Sequence, residues 1–175
     1  MNNVALLRAF APSRLRVMIF LMVPPKVNPM TDQELVEAAR TAALRAYAPY
    51  SKFSVGCAIE SVDGEVVTGA NMENACYRLG VCAEISALTA AQAAFGLDQI
   101  ARIAVAGGDG SGDELAGATT VTPCGGCRQS ILEAALLSGR DIEILCASGD
   151  GEKHDRHHIN ALIPHGFGPA NLKGA

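Results

Sequence analysis

Two stretches of this chain that read as helices each open on a cysteine, and the first is rich in alanine. Cys82 leads residues 82–95 with Gly96 as a stop, and Cys124 leads residues 124–137 with Gly139 beyond them. The second stretch holds a further cysteine one turn in, Cys127. Helix starts present unpaired N–H groups and the positive end of the helix dipole, and both favour thiolates. Each of these helices follows a loop or a strand end. In an open α/β sheet, sites form there.

The remaining pattern alternates. Thr31-Asp32-Gln33-Glu34 has the form of a capping box, and Leu35, Ala39, Ala42, Ala43 and Ala46 recur at helical spacing, so a helix is expected to end before Pro49. Residues 54–62 and 65–69 read as strands about an Asp63-Gly64 hairpin turn. An Asn-rich polar stretch occupies 71–78. Residues 100–106 form a buried strand by composition, 107–117 a Gly/Asp-rich loop, 119–122 a short strand before Pro123, and 141–147 another strand. A polar linker, a short apolar piece at 159–163 and a loop ending in Phe167 complete the chain. The order predicts a three-layer α/β/α domain with a mixed β-sheet. Its hairpin is antiparallel and its later strand–helix–strand unit parallel.

Composition narrows the class. Of 175 residues 49% are apolar and 18% charged, which excludes wholesale disorder. The net charge of −4 supplies no basic stripe for a nucleic acid backbone. Residues 1–30 carry Arg8, Arg14 and Arg16, then a short apolar run at 17–23 that is too brief to span a bilayer. Pro24, Pro25 and Lys26 follow that run in place of a small-residue cleavage site. Residues 1–30 are therefore expected to be a disordered or dispensable extension, with Met30 a candidate initiator and 31–175 the catalytic domain. Reduced thiols without an export signal imply a cytoplasmic protein, and no membrane partner is expected.

Cys124 and Cys127 can grip one ion from a single helical turn, and Cys82 would complete a three-ligand site. Three ligands leave a position open, as a catalytic zinc requires. Glu84, two residues after Cys82, could then reach the metal's water without being a ligand. The C-x-x-C spacing alone equally describes a structural half-site or a redox pair. Cys57 and Cys146 lie in apolar runs and read as core. Cys76, in the polar stretch, stays open as a fourth ligand. His154, His157, His158 and His165 read as solvated surface residues.

The neighbouring residues favour the catalytic reading. Cys82-Ala83-Glu84, followed by Pro123-Cys124-Gly125-Gly126-Cys127-Arg128-Gln129, resembles the zinc deaminase signature. Two more blocks, Pro49-Tyr50-Ser51-Lys52-Phe53-Ser54-Val55-Gly56 and Asn71-Met72-Glu73-Asn74-Ala75-Cys76-Tyr77, make the chain similar to the small nucleoside-type cytidine deaminases. A weaker match covers residues 162–167. The resemblance implies zinc held by Cys82, Cys124 and Cys127, with Glu84 as the acid/base. It implies hydrolysis of cytidine and deoxycytidine to uridine and deoxyuridine in pyrimidine salvage. Ala83 would bond the pyrimidine, Asn71 and Glu73 would read the ribose, and Phe53 would pack near the nucleoside. Ala75, Tyr77 and Phe167 would reach a neighbouring subunit's ligand in a homotetramer.

Two departures stand out. Three-cysteine members of the family usually carry Arg after the catalytic Glu, where this chain has Ile85. Zinc on three thiolates is left with one net negative charge, and Arg128 and the two helix starts are the candidates to offset it. The glycine-rich loop at 107–117 is also longer than the family pattern. Rival readings are a related aminohydrolase resembling blasticidin-S deaminase and a non-catalytic zinc-binding protein.

Overall fold

A computed structural model describes residues 28–172. The expected extension lies largely outside the described residues, of which only 28–30 belong to it. The capping box forms as the sequence predicts. Thr31 Oγ1 accepts from the Glu34 amide, the Glu34 carboxylate accepts from the Thr31 amide, and helix α1 (Asp32–Ala43) follows. Strand β1 (Phe53–Ser61) and strand β2 (Val66–Ala70) form the expected hairpin, with Gly64 at φ 84° supplying the left-handed turn residue. Helix α2 (Ala83–Ala94), strand β3 (Ile100–Asp109), helix α3 (Gly125–Ser138) and strand β4 (Glu143–Ser148) then follow in the predicted order.

The five-stranded sheet has the order β2-β1-β3-β4-β5, where β5 is His154–His158. Only β3 and β4 run parallel, joined across α3; the other pairs are antiparallel. Side chains alternate between two faces with the period of the strand. Cys57, Ile59, Ile103, Val105, Ile144 and Cys146 pack under α2 and α3. Ala58, Ala104, Ala106, Leu145 and Ala147 meet Leu35, Val36 and Ala39 of α1. Both faces are therefore covered, which gives the three layers.

Three expectations need correction. Residues 119–122 do not form a strand; the segment is irregular, with one backbone bond from the Val121 amide to Ala147 O. The expected polar linker contains β5, an edge strand whose charged, His-rich sequence hides its pairing with β4. Strand β3 runs past Ala106 through Gly107, Gly108 and Asp109, which pair with Val55, Ser54 and Phe53. The glycine at 108 is a matter of space, since a Cβ there would lie 2.0 Å from Ala116 O, where the loop returns through an Asp109–Ala116 bridge.

One ion-pair network, built on the buried Glu60, ties the start of the domain to the sheet. Glu60, 2% exposed, pairs with Arg102 at 2.6 Å and accepts from the Met30 amide at 2.6 Å. Arg102 also bonds Asp32 and donates to Met30 O. Arg156 joins Asp32 to Glu143.

Candidate active site

Cys82 is the N-cap of α2 and Cys124 the N-cap of α3, while Cys127 is the third residue of α3. The sequence puts these helix starts after a loop and after a strand connection, and the sheet then brings them together. The three sulfurs lie within 4.8 Å of one another, with Cys124 and Cys127 3.5 Å apart. Four sulfurs or nitrogens around zinc stand about 3.8 Å apart when Zn–S is about 2.3 Å, so the donor set and its spacing fit that ion. Among the described residues, Cys57, Cys76 and Cys146 stand outside the cluster; Cys57 and Cys146 are buried and Cys76 is exposed. The cluster is thus a three-thiol site, with no fourth cysteine to close it.

The local electrostatics differ from thiol to thiol. Backbone N–H donation from Cys127, aided by that of Gly126, draws the Cys124 thiol below its ordinary range. Burial pushes Cys127 well up, and the nearby Glu84 charge adds to this. Burial also raises Cys82. A bound cation would reverse the logic for the two raised thiols. Glu84, the second residue of α2, is 5% exposed, and its charge is felt at Cys82, Cys127 and Cys57 beneath it. Ala83 is buried beside it, and Ile85 packs against the core under α2 and α3.

Among the described residues, the Arg128 guanidinium makes no hydrogen bond to the three sulfurs. Its bonds among the described residues go to Pro123 O at 2.8 Å, Leu162 O at 3.2 Å and Thr122 Oγ1 at 3.2 Å. It braces the segment that delivers Cys124. The direct hydrogen-bonding partners for charge on Cys124 are the backbone amides at the start of α3.

An open groove of ≈ 290 Å³ adjoins Cys82 and is lined by Asn71, Glu73, Tyr77 and Val81 among others. Asn71 is held at both ends of its amide. Its Oδ1 accepts from the Val55 N–H at 2.8 Å, and its Nδ2 donates to Phe53 O at 3.0 Å. Glu73 accepts from the backbone N–H groups of Tyr50 and Ser51 at 2.9 and 3.2 Å. The Ser51 side chain and then the Tyr50 amide hold the Glu73 carboxyl below the usual glutamate range, so it is ionised near neutrality. Sequence reasoning missed Tyr50 and Ser51 as supports for Glu73, although both lie in the matched block at 49–56.

Of the other expected residues, Tyr77 lines that groove, whereas Phe53, Ala75 and Phe167 do not. Phe53 opens β1 and is exposed, and Ala75 sits in the loop beside Tyr77, which is 83% exposed with its ring 6.5 Å from that of Tyr50. Phe167 is 58% exposed, so it does not fill the core of its own chain.

An α/β/α sandwich that brings three thiols and one buried carboxylate together at the starts of two helices has the donor set of a metal-dependent enzyme. The family model for the cytidine and deoxycytidylate deaminase zinc-binding region matches residues 29–138. Cytidine deaminase of Halalkalibacterium halodurans is 41% identical over 138 residues, covering 79% of this chain and 95% of the relative. The crystal structure of cytidine deaminase from Burkholderia pseudomallei superposes with TM-score 0.67 at 39% identity, over 79% of this chain and 100% of that one. That of the Mycobacterium tuberculosis cytidine deaminase gives 0.62 at 32%, over 79% and 99%. The chain belongs to the cytidine deaminase family.

Proposed function

We propose that the protein hydrolyses cytidine and deoxycytidine to uridine and deoxyuridine, with release of ammonia. The observation that carries this reading is the placement of Glu84. It is buried and lies in the first turn of α2, two residues after Cys82, the N-cap that belongs to the thiol cluster. Zinc bound by Cys82, Cys124 and Cys127 supplies activation of water near neutral pH. Glu84 takes the proton of the attacking water and delivers it to ring N3. After water adds at C4, Glu84 takes the remaining proton of the new C4 hydroxyl and passes it to the amine, so the C4 carbonyl forms as ammonia departs; the carboxylate acts as base and as acid in turn. The backbone at Ala83 bonds the pyrimidine and sets the ring over Glu84. Asn71 and the ionised Glu73 read the ribose hydroxyls, and their own bonds to β1 and to residues 50–51 hold them in place.

The reading extends to assembly. Tyr50, Phe53, Met72, Tyr77, Leu79 and Phe167 are exposed large apolar side chains, as expected of a surface covered by further copies. We place Phe53 near the nucleoside, and Ala75, Tyr77 and Phe167 at a neighbouring subunit's ligand in a homotetramer. A cytoplasmic place in pyrimidine salvage and the lack of a nucleic acid partner accord with reduced thiols and a net charge of −4. Among the described residues, no helix is long and apolar enough to cross a membrane. We take residues 31–175 as the catalytic unit, whose first helix opens on the Thr31–Glu34 capping box.

The test is absorbance loss with zinc-quantified protein and four substrates: cytidine, deoxycytidine, cytosine and blasticidin S. Turnover of the two nucleosides supports the reading. Turnover of blasticidin S alone would make the protein a related aminohydrolase, and bound zinc with no turnover would make it a zinc-binding protein.

A further inference from the structure

Two consecutive residues of α3, directly after Cys127, hold the C-terminal segment of the domain. Arg128 bonds Leu162 O, and Gln129 takes both backbone groups of Phe167. Gln129 Nε2 donates to Phe167 O at 2.6 Å, and Phe167 N donates to Gln129 Oε1 at 3.3 Å. A side-chain amide paired with one residue's N–H and C=O imitates a strand neighbour and fixes that residue's orientation.

The glycines on either side explain where the ring goes. A Cβ at Gly166 would lie 2.2 Å from Leu132 Cδ2, and one at Gly168 would lie 2.6 Å from Leu136 Cδ1. The chain therefore lies flat on α3 before and after Phe167. The Phe167 ring stays 58% exposed while its backbone is pinned to the helix that carries Cys124 and Cys127. An exposed aromatic ordinarily gains little from such anchoring unless something else receives the ring.

We propose that Gln129 is a positioning residue that presents the exposed Phe167 ring to the nucleoside site of a neighbouring subunit. The inference rests on the reading of Phe167 as an aromatic that covers a bound base. Gln129 touches no reacting atom. It acts through Phe167 and should change binding rather than the proton transfers of Glu84.

The chain contains no Trp, so Phe167→Trp introduces a single fluorophore at the position in question. In the zinc-loaded protein, Gln129→Ala is expected to raise KM for cytidine about 5-fold, the factor that one net hydrogen bond of about 1 kcal/mol represents. It should leave kcat and zinc content unchanged, and it should lower the anisotropy of the tryptophan at 167. In a Phe167→Ala background it should add nothing. Gln129→Glu keeps the acceptor for the Phe167 amide but sets a carboxylate against the Phe167 carbonyl. It provides a second variant with the same expected KM shift should the alanine variant fail to fold. If Phe167→Ala itself leaves KM unchanged, the reading of Phe167 fails and the inference with it. If Phe167→Ala raises KM while both Gln129 variants do not, the clasp is refuted and the reading of Phe167 stands. Loss of zinc, or a fall in kcat equal to that in kcat/KM, would make Gln129 a structural residue and overturn the proposal.

Discussion

In a Gly69→Ala variant the new methyl group has no room. Gly69 lies in β2 against α2, and a Cβ there would stand 2.4 Å from Ala87 N, 2.7 Å from Ala83 O and 2.9 Å from Ala87 Cα. All three are backbone atoms, so no side chain can rotate away. Ordinary contact begins at 3.4 Å. Helix α2 must therefore lift by about 1 Å, and overpacking of this kind costs about 1–3 kcal/mol. For a domain of this size that lowers Tm by roughly 2–12 °C. The functional cost is larger, because α2 begins at Cys82 and carries Ala83 and Glu84 in its first turn. A misplacement of about 1 Å at a reacting centre costs on the order of 10²-fold in rate. The assay is kcat/KM for cytidine beside a thermal melt, with Gly112→Ala as the control; a Cβ at Gly112 meets its nearest neighbour at an ordinary 3.9 Å. A Gly69→Ala protein with the control's Tm and kcat/KM would refute the idea that backbone contact with β2 sets the position of the catalytic helix.

Other outcomes follow from single contacts. Arg102→Ala strips the 2%-exposed Glu60 of its cation, and urea denaturation should show a loss of about 3–5 kcal/mol. Arg128→Gln releases the carbonyl just before Cys124. It should weaken zinc retention against a chelator by about 10- to 100-fold, the range for partners that orient metal ligands, whereas Arg45→Gln on the surface should not. The folded-state pKa of Glu73 is depressed. Its contribution to stability is therefore present above the unfolded carboxylate pKa and is lost as pH falls through the folded one. An NMR titration of the Glu73 carboxyl should give a midpoint below the usual glutamate value, and Ser51→Ala should move it upward.

Elements with a strong local signal were legible in the sequence. Thr31 and Glu34 announced the start of α1, Asp63-Gly64 the hairpin, and Gly96 and Gly139 the ends of two helices. The thiol cluster was legible too, because a cysteine at each of two helix starts needs only a common sheet to bring it to the other. Strand β5 was not, since His154–His158 has no apolar face and owes its conformation to pairing with β4. Likewise, the end of β3 is built on Gly107 and Gly108, residues of low strand propensity that the register with β1 holds extended. At the site, residue types suggested that Asn71 and Glu73 meet a ligand. Their bonds to β1 and to residues 50–51 join positions far apart in sequence and emerge only in the fold. Arg128 is the clearest case: its type suggested charge compensation at the sulfurs, and its geometry spends the guanidinium on carbonyls.

Everything proposed for the reaction passes through one carboxylate beside three thiols. The decisive measurement is turnover of cytidine by Glu84→Gln protein in which bound zinc is quantified. Loss of turnover by several orders of magnitude, with zinc still near one per chain, is the predicted result. Undiminished turnover at full zinc occupancy would contradict it and would remove Glu84 from the chemistry.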